Sequence, residues 1–130
     1  MADNKDYWAS VQEQGSVRIS EDVIASIAAL AASEVGGVSS LSSGFGSDIA
    51  ELLGKRNLSK GVKIQFSGDE VSIDIYLLIK YGHVICEVAG KVQESVITAV
   101  ESMTGLRVKE ANIHVTGISF DREADSKQKA

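Results

Sequence analysis

Residues 44–56, reading GFGSDIAELLGKR, combine a Gly-x-Gly with a Gly-Lys, the residue types that cradle phosphate. A Walker loop needs G-x-x-x-x-G-K-S/T, so that glycine-freed amides wrap the phosphates and the hydroxyl holds magnesium. Here Ile49 stands where the first glycine belongs, and Arg56 replaces the hydroxyl. A dinucleotide fingerprint fails at the same residue, because Ile49 also takes the place of its third glycine after Gly44 and Gly46. No long strand precedes the stretch, as both motifs require. It is not a nucleotide site.

Other chemistries fail on spacing too. No glycine pair reads G-x-x-G, so an RNA-clamping loop of the KH type is missing. No G-x-S-x-G elbow presents a nucleophilic serine. His83 and His114 each read as a structural histidine, exposed or hydrogen-bonded. Cys86 falls at the start of a predicted helix, where the dipole can activate a thiol. It reads as a packing or surface cysteine. Asp74 and Glu87 show no pairing that the sequence alone can locate. No catalytic, cofactor or metal residue is assigned.

What remains is a basic cluster, Lys55, Arg56, Lys60 and Lys63, within LGKRNLSKGVK. Charges this close lie within about one Debye length, ~8–10 Å, and reinforce one another. Two readings stay open. The cluster is either a solvated turn between helix and strand, or a surface for an acidic partner or anionic headgroups.

The elements that would hold these residues follow from patterning. A chain of 130 residues has room for one core. No proline is present and only 5% of residues are aromatic, so that core must be aliphatic. The net charge of −5 argues against a nucleic-acid binder, which needs a basic surface. One cysteine cannot form an internal disulfide, which points to a reducing compartment. The most apolar run, residues 23–32, is too short for the roughly 20 residues that span a bilayer. The polar start of the chain lacks a signal-peptide core. A cytoplasmic protein is expected, bound at most peripherally to the inner face of the membrane.

Residues 1–14 and 121–130 read as disordered tails, with Tyr7 and Trp8 the only aromatics of the first. Between them, residues 15–120 form one domain. Val17 and Ile19 mark a short strand, and Ser20 caps a helix whose first turn carries Glu21 and Asp22. Val23, Ile27, Leu30 and Ala31 recur at helical spacing until Gly36-Gly37, and many alanines permit close packing. A short apolar piece at 38–41 precedes a Ser/Gly-rich loop and a brief helix with Ile49, Leu52 and Leu53. Val62, Ile64 and Phe66 alternate, turn at Gly68-Asp69-Glu70, and return as Val71, Ile73, Ile75, Leu77 and Ile79. That is an antiparallel hairpin. A long helix carries Ile85, Val88, Val92, Val96, Ala99 and Met103 and stops at Gly105. The last strand slips phase near Lys109-Glu110 and at Gly117, so bulges are expected there. The predicted fold is α+β, a two-layer sandwich with helices on one side of a small mixed sheet.

Four stretches in this order carry a family resemblance: GSVRISEDVIASIAALAASEVGGV, LLGKRNLSKGVKI, VSIDIYLLIKYG and VAGKVQESVITAVESMTGLRVKEANIHVTGI. Together they resemble the alkaline shock protein family, the envelope-stress proteins of Gram-positive bacteria, from about residue 15 to 120. The resemblance implies a non-enzymatic protein that maintains the cell envelope as an interaction module at the cytoplasmic face of the membrane. A small membrane-anchored protein is the implied partner, with self-association. The alternative implied is a modulator of fatty-acid synthesis acting on acetyl-CoA carboxylase, a lipid-synthesis enzyme. The LGKRNLSKG segment is the most family-like exposed piece, making Leu53, Lys55, Arg56, Asn57 and Lys60 the expected partner-binding residues. One departure is ICEVA at residues 85–89, where relatives tend to have I-P-E-V-A, which leaves the helix start less rigid. An assembling protein should also show an exposed apolar patch or an open strand edge, such as that bearing Ile113, Val115 and Ile118.

Overall fold

The computed structural model describes residues 7–41 and 61–120. Its longest strand organises the rest. This strand, β5 (Glu70–Lys80), alternates strictly, with Val71, Ile73, Ile75, Leu77 and Ile79 all fully buried on one face. Aliphatic side chains at every second position, all but Leu77 β-branched, suit a pleated strand with one covered face. Strand β4 (Val62–Ser67) pairs antiparallel with the first half of β5, from Phe66↔Val71 to Val62↔Ile75. Gly68, at φ +62°, makes the tight turn between them. Strand β3 (Val38–Leu41) pairs antiparallel with the far end of β5, Val38↔Ile79 to Leu41↔Leu77. Strand β6 (Arg107–Ser119) runs parallel to β5 along its whole length. A strand has two edges, so β3 and β4 lie end to end on one and β6 takes the other.

Helix α1 (Glu21–Ser33) opens on the Ser20 cap, whose hydroxyl accepts a hydrogen bond from the Val23 amide at 3.3 Å. Glu21 and Asp22 occupy its first turn, as expected. Helix α2 (Ile85–Thr104) makes the crossover between the parallel strands β5 and β6. It ends on Gly105 at φ +80°, whose amide donates to the Glu101 carbonyl at 2.9 Å. The Glu101 carboxylate also accepts from the Val108 amide at 2.9 Å, tying the helix end to the start of β6. Both helices cover the same face of the sheet, so the fold is a mixed α+β sandwich of two layers.

Val88, Val92, Val96 and Val100 form the buried face of α2. Valine is a mediocre helix former, and here burial overrides propensity. The buried face of α1 is small: Ile24, Ala25, Ala28, Ala31 and Ala32. The alanines let the helices approach until the Ser95 hydroxyl donates to the Ala31 carbonyl at 3.3 Å.

Two expectations change. Residues 7–14 are not a disordered lead-in. Strand β1 (Tyr7–Gln12) pairs antiparallel with β2 (Gly15–Ser20) as a separate hairpin, and half-buried Trp8, opposite Ile19, packs against the core. Hydrophobic burial of that indole outweighs the polar character of the neighbouring residues. The apolar stripe expected to bury α1 is also turned outward in part, with Val23 and Leu30 exposed, because close contact between layers selects the alanine face. The bulges fall where the phase slips: Lys109 and Thr116 are the extra residues of β6. The expected brief helix with Ile49, Leu52 and Leu53 and the tail at 121–130 lie outside the described residues.

Candidate interaction surface on the helix layer

The outward side of α1 carries Val23, Ile27 and Leu30, one turn apart in succession. The alanines opposite are needed for packing, so Val23 and Leu30 are left exposed, with half-buried Ile27 between them at the margin of the core. Leu30 is 62% exposed. Across from it, α2 presents Ala99 and Met103, the latter 71% exposed. Val100, a residue from Ala99, belongs to the buried face, so the residues at 99 and 103 flank the interhelical seam. The end of β3 adds Leu41. Ser26, Ile27, Leu30, Leu41, Ala99 and Met103 line an open groove of about 630 Å³. A second shallow crevice continues from it past Glu34, Lys91 and Glu94. Leu30 and Met103 leave large apolar side chains exposed in the groove, a surface that association would bury.

The opposite face of the sheet is polar. Asp74 Oδ1 accepts from Asn112 Nδ2 at 3.2 Å and lies 3.1 Å from His114 Nε2. The His114 ring stacks on Tyr76 with centroids 4.4 Å apart, and Lys63 Nζ sits 5.6 Å from the Tyr76 centroid on its ring face. A carboxylate against an imidazole is the pairing a general base uses. This pair is a rung between registered neighbours: Asp74 faces Asn112, and Tyr76 faces His114. The contacts fix strand register and orient the imidazole. Residue spacing could not show the pair, because the parallel register joins positions far apart in sequence.

The other candidates are placed as follows. His83 is exposed beside Gly37. Cys86 is exposed in the first turn of α2. Val84 caps that helix without a side-chain hydrogen bond. Among the described residues no group of His, Cys, Asp and Glu gathers three metal-ligand candidates. Among them, too, no helix is long and apolar enough to cross a membrane. Leu53, Lys55, Arg56, Asn57 and Lys60 lie outside the described residues. Within them, no strand pairs with the outer edge of β6, and Ile113, Val115 and Ile118 are half-buried against the core. The groove residues Leu30 and Met103 were visible in the sequence as members of the helical stripes. What was not visible is that these two residues face outward.

These features define a small α+β domain with an apolar groove in its helix layer on one side and a polar sheet face on the other. The chain belongs to the alkaline shock protein 23 family, described by a cell envelope-related function, whose model matches residues 9–120. It is 41% identical over 114 residues to the uncharacterized protein YqhY of Bacillus subtilis (strain 168), covering 88% of this chain and 84% of that protein. A second uncharacterized protein of the same bacterium, YloU, is 37% identical over 106 residues, 80% of this chain and 88% of that protein. The uncharacterized protein Spy1614 of Streptococcus pyogenes is 33% identical over 108 residues, 82% of this chain and 89% of that one. Among solved structures, a zinc form of a MamM CTD variant aligns with a TM-score of 0.49 and 13% identity, covering 78% of this chain and 89% of that chain.

Proposed function

We propose that this chain serves the cell envelope as a non-enzymatic interaction module at the cytoplasmic face of the membrane, docking partners on its helix layer. One observation carries the reading: Leu30 and Met103, both largely exposed, face each other across an apolar groove on the outer side of the helices. Single exposed apolar residues are ordinary, but a contiguous set lining a groove marks a contact surface more often than not. The family's cell envelope-related function supplies the setting.

The test is to tag the protein in its host cell, fractionate the membranes and identify what co-purifies, for the natural chain and for Leu30→Gln/Met103→Gln. Recovery at the membrane with a small anchored protein, lost in the double variant, is the expected result. Recovery in the soluble fraction with acetyl-CoA carboxylase subunits would replace this reading with that of a regulator of fatty-acid synthesis. A parallel Lys55→Glu/Arg56→Glu variant measures what the basic segment adds. If the double variant kept every partner, the groove would not be the docking surface.

A further inference from the structure

We propose that the groove between α1 and α2 receives an amphipathic helix with a basic outer face, supplied by a partner protein. The inference rests on the interaction-module reading and names the chemistry of the partner. Charge distribution is its basis. From Glu21 through Glu34 and along α2, the helix layer holds Glu21, Asp22, Glu34, Glu87, Glu94 and Glu101 against the single base Lys91. Strands β4, β5 and β6 with their turn are balanced, with Lys63, Lys80, Arg107 and Lys109 against Asp69, Glu70, Asp74 and Glu110. Among the described residues, net negative charge is therefore concentrated on the layer that also carries the apolar groove.

The rim shows the same bias. Glu34 lines the groove itself, and Glu94 lies beside it with Lys91. Asp22 precedes Ser26 by one helical turn, at the other end of the stripe. From Val23 to Leu30 the stripe runs for about 10 Å at ~1.5 Å per residue, and Glu34 extends it to about 16 Å, about three turns of a docked helix. A helix laid in such a groove anchors through apolar residues at i, i+3, i+4 and i+7 and leaves its other face over the rim. Basic residues there would meet the acidic rim, which guides encounter and excludes acidic competitors. Leu30 and the unbranched Met103 can adjust to the anchors.

The same charges weigh against other occupants. A second copy docked by a two-fold axis on this face would set acidic helices against each other. An anionic bilayer would be repelled by the rim.

The test uses the full chain and two synthetic helices of roughly 16 residues, one Leu/Lys and one Leu/Glu with the same apolar spacing, read by fluorescence anisotropy. The Leu/Lys helix is expected to bind at least about tenfold tighter and to weaken between about 0.05 and 0.5 M salt. Leu30→Gln/Met103→Gln should lose about tenfold or more, and circular dichroism should show its fold unchanged. Glu34→Lys/Glu94→Lys should weaken the Leu/Lys helix and strengthen the Leu/Glu one, a reversal that misfolding cannot produce.

Equal binding of the two helices, or full affinity in the Leu30/Met103 variant, would overturn the proposal. So would binding that appears only after residues 42–60 are deleted, which would make the chain's own segment the occupant. A dimer dissolved by Leu30→Gln/Met103→Gln would assign the groove to a second copy. Phosphatidylglycerol vesicles that sediment the natural chain but not that variant would assign it to lipid. If the helices fail while the variant still loses its anchored partner in cells, the partner chemistry falls and the interaction module stands. If the helices bind as expected and the variant keeps its cellular partners, the groove chemistry stands and the envelope reading falls.

Discussion

At the scale of single residues, Gly37 shows how one side chain's absence holds two elements together. It has φ +100°, and its carbonyl accepts from the Lys80 amide at 2.8 Å at the end of β5. A Cβ there would stand 2.8 Å from Val88 Cγ2, inside any tolerable contact, and 3.1 Å from His83 Nδ1. Val88 is in the first turn of α2 and 5% exposed, so it has little room to retreat. Gly37→Ala should therefore lower stability by about 1–3 kcal/mol, from overpacking and backbone strain together. Urea unfolding measures it. Pairing the change with Val88→Ala separates the two causes: the double variant should lose less than the sum of the singles if the clash is real. Strict additivity would leave backbone strain as the whole effect. Asp74 offers the opposite case. Its two polar contacts sit on a half-exposed sheet face, so Asp74→Ala should cost only about 0.5–1 kcal/mol in the same measurement.

At the scale of elements, the sequence was most legible where one period dominates. Strand β5 and the valine face of α2 could be read directly, because each buries a single regular stripe. In β6 the phase slips themselves were informative. Lys109 and Thr116 are skipped in the pairing, so Glu110 still faces Ser72, and Ile118 still faces Ile79. Deletion of Thr116 should keep every inward residue inward, while deletion of Asn112 should invert the strand from Ile113 onward. The first variant is expected to retain dispersed amide signals in an NMR spectrum and the second to lose them. Loss of the fold in both would mean that the bulge shapes the sheet and is not merely a spare residue. Helix α1 was less legible, since it is apolar almost all round. Periodicity finds such a helix but cannot rank its faces, and the larger residues suggested the wrong one. The choice depends on how closely two layers approach, which only the assembled structure contains. Leu30→Gln and Met103→Gln should each change stability by less than about 0.5 kcal/mol, while Ile75→Ala, fully buried on β5, should cost about 2–5 kcal/mol. Comparable losses at all three would show that the groove residues support the fold and are not spare surface.

At the scale of the whole molecule, the β1–β2 hairpin decides where the domain begins. It forms its own two-stranded sheet, and isolated two-stranded ribbons are marginal in water. Its stability must come from contact with the body, and half-buried Trp8 and Ile19 provide that contact. The dependence runs both ways, because β2 leads directly into the Ser20 cap of α1. Loss of β1 would unpair β2, uncover Ile19 and free the residue that starts the helix. Composition hid this strand, since residues 7–12 are short and bordered by polar residues, and their pairing is visible only once Trp8 has somewhere to pack. Removal of residues 1–12 should therefore lower the urea midpoint by the equivalent of about 1–3 kcal/mol, the order of one large side chain's burial. Trp8→Ala should reproduce much of the loss, since the indole is the hairpin's largest contact with the core. Unchanged stability in the truncated chain would mean that the hairpin rides on a domain complete without it. In that case the region before residue 15 would be a tail in the energetic sense, although it is paired in the fold.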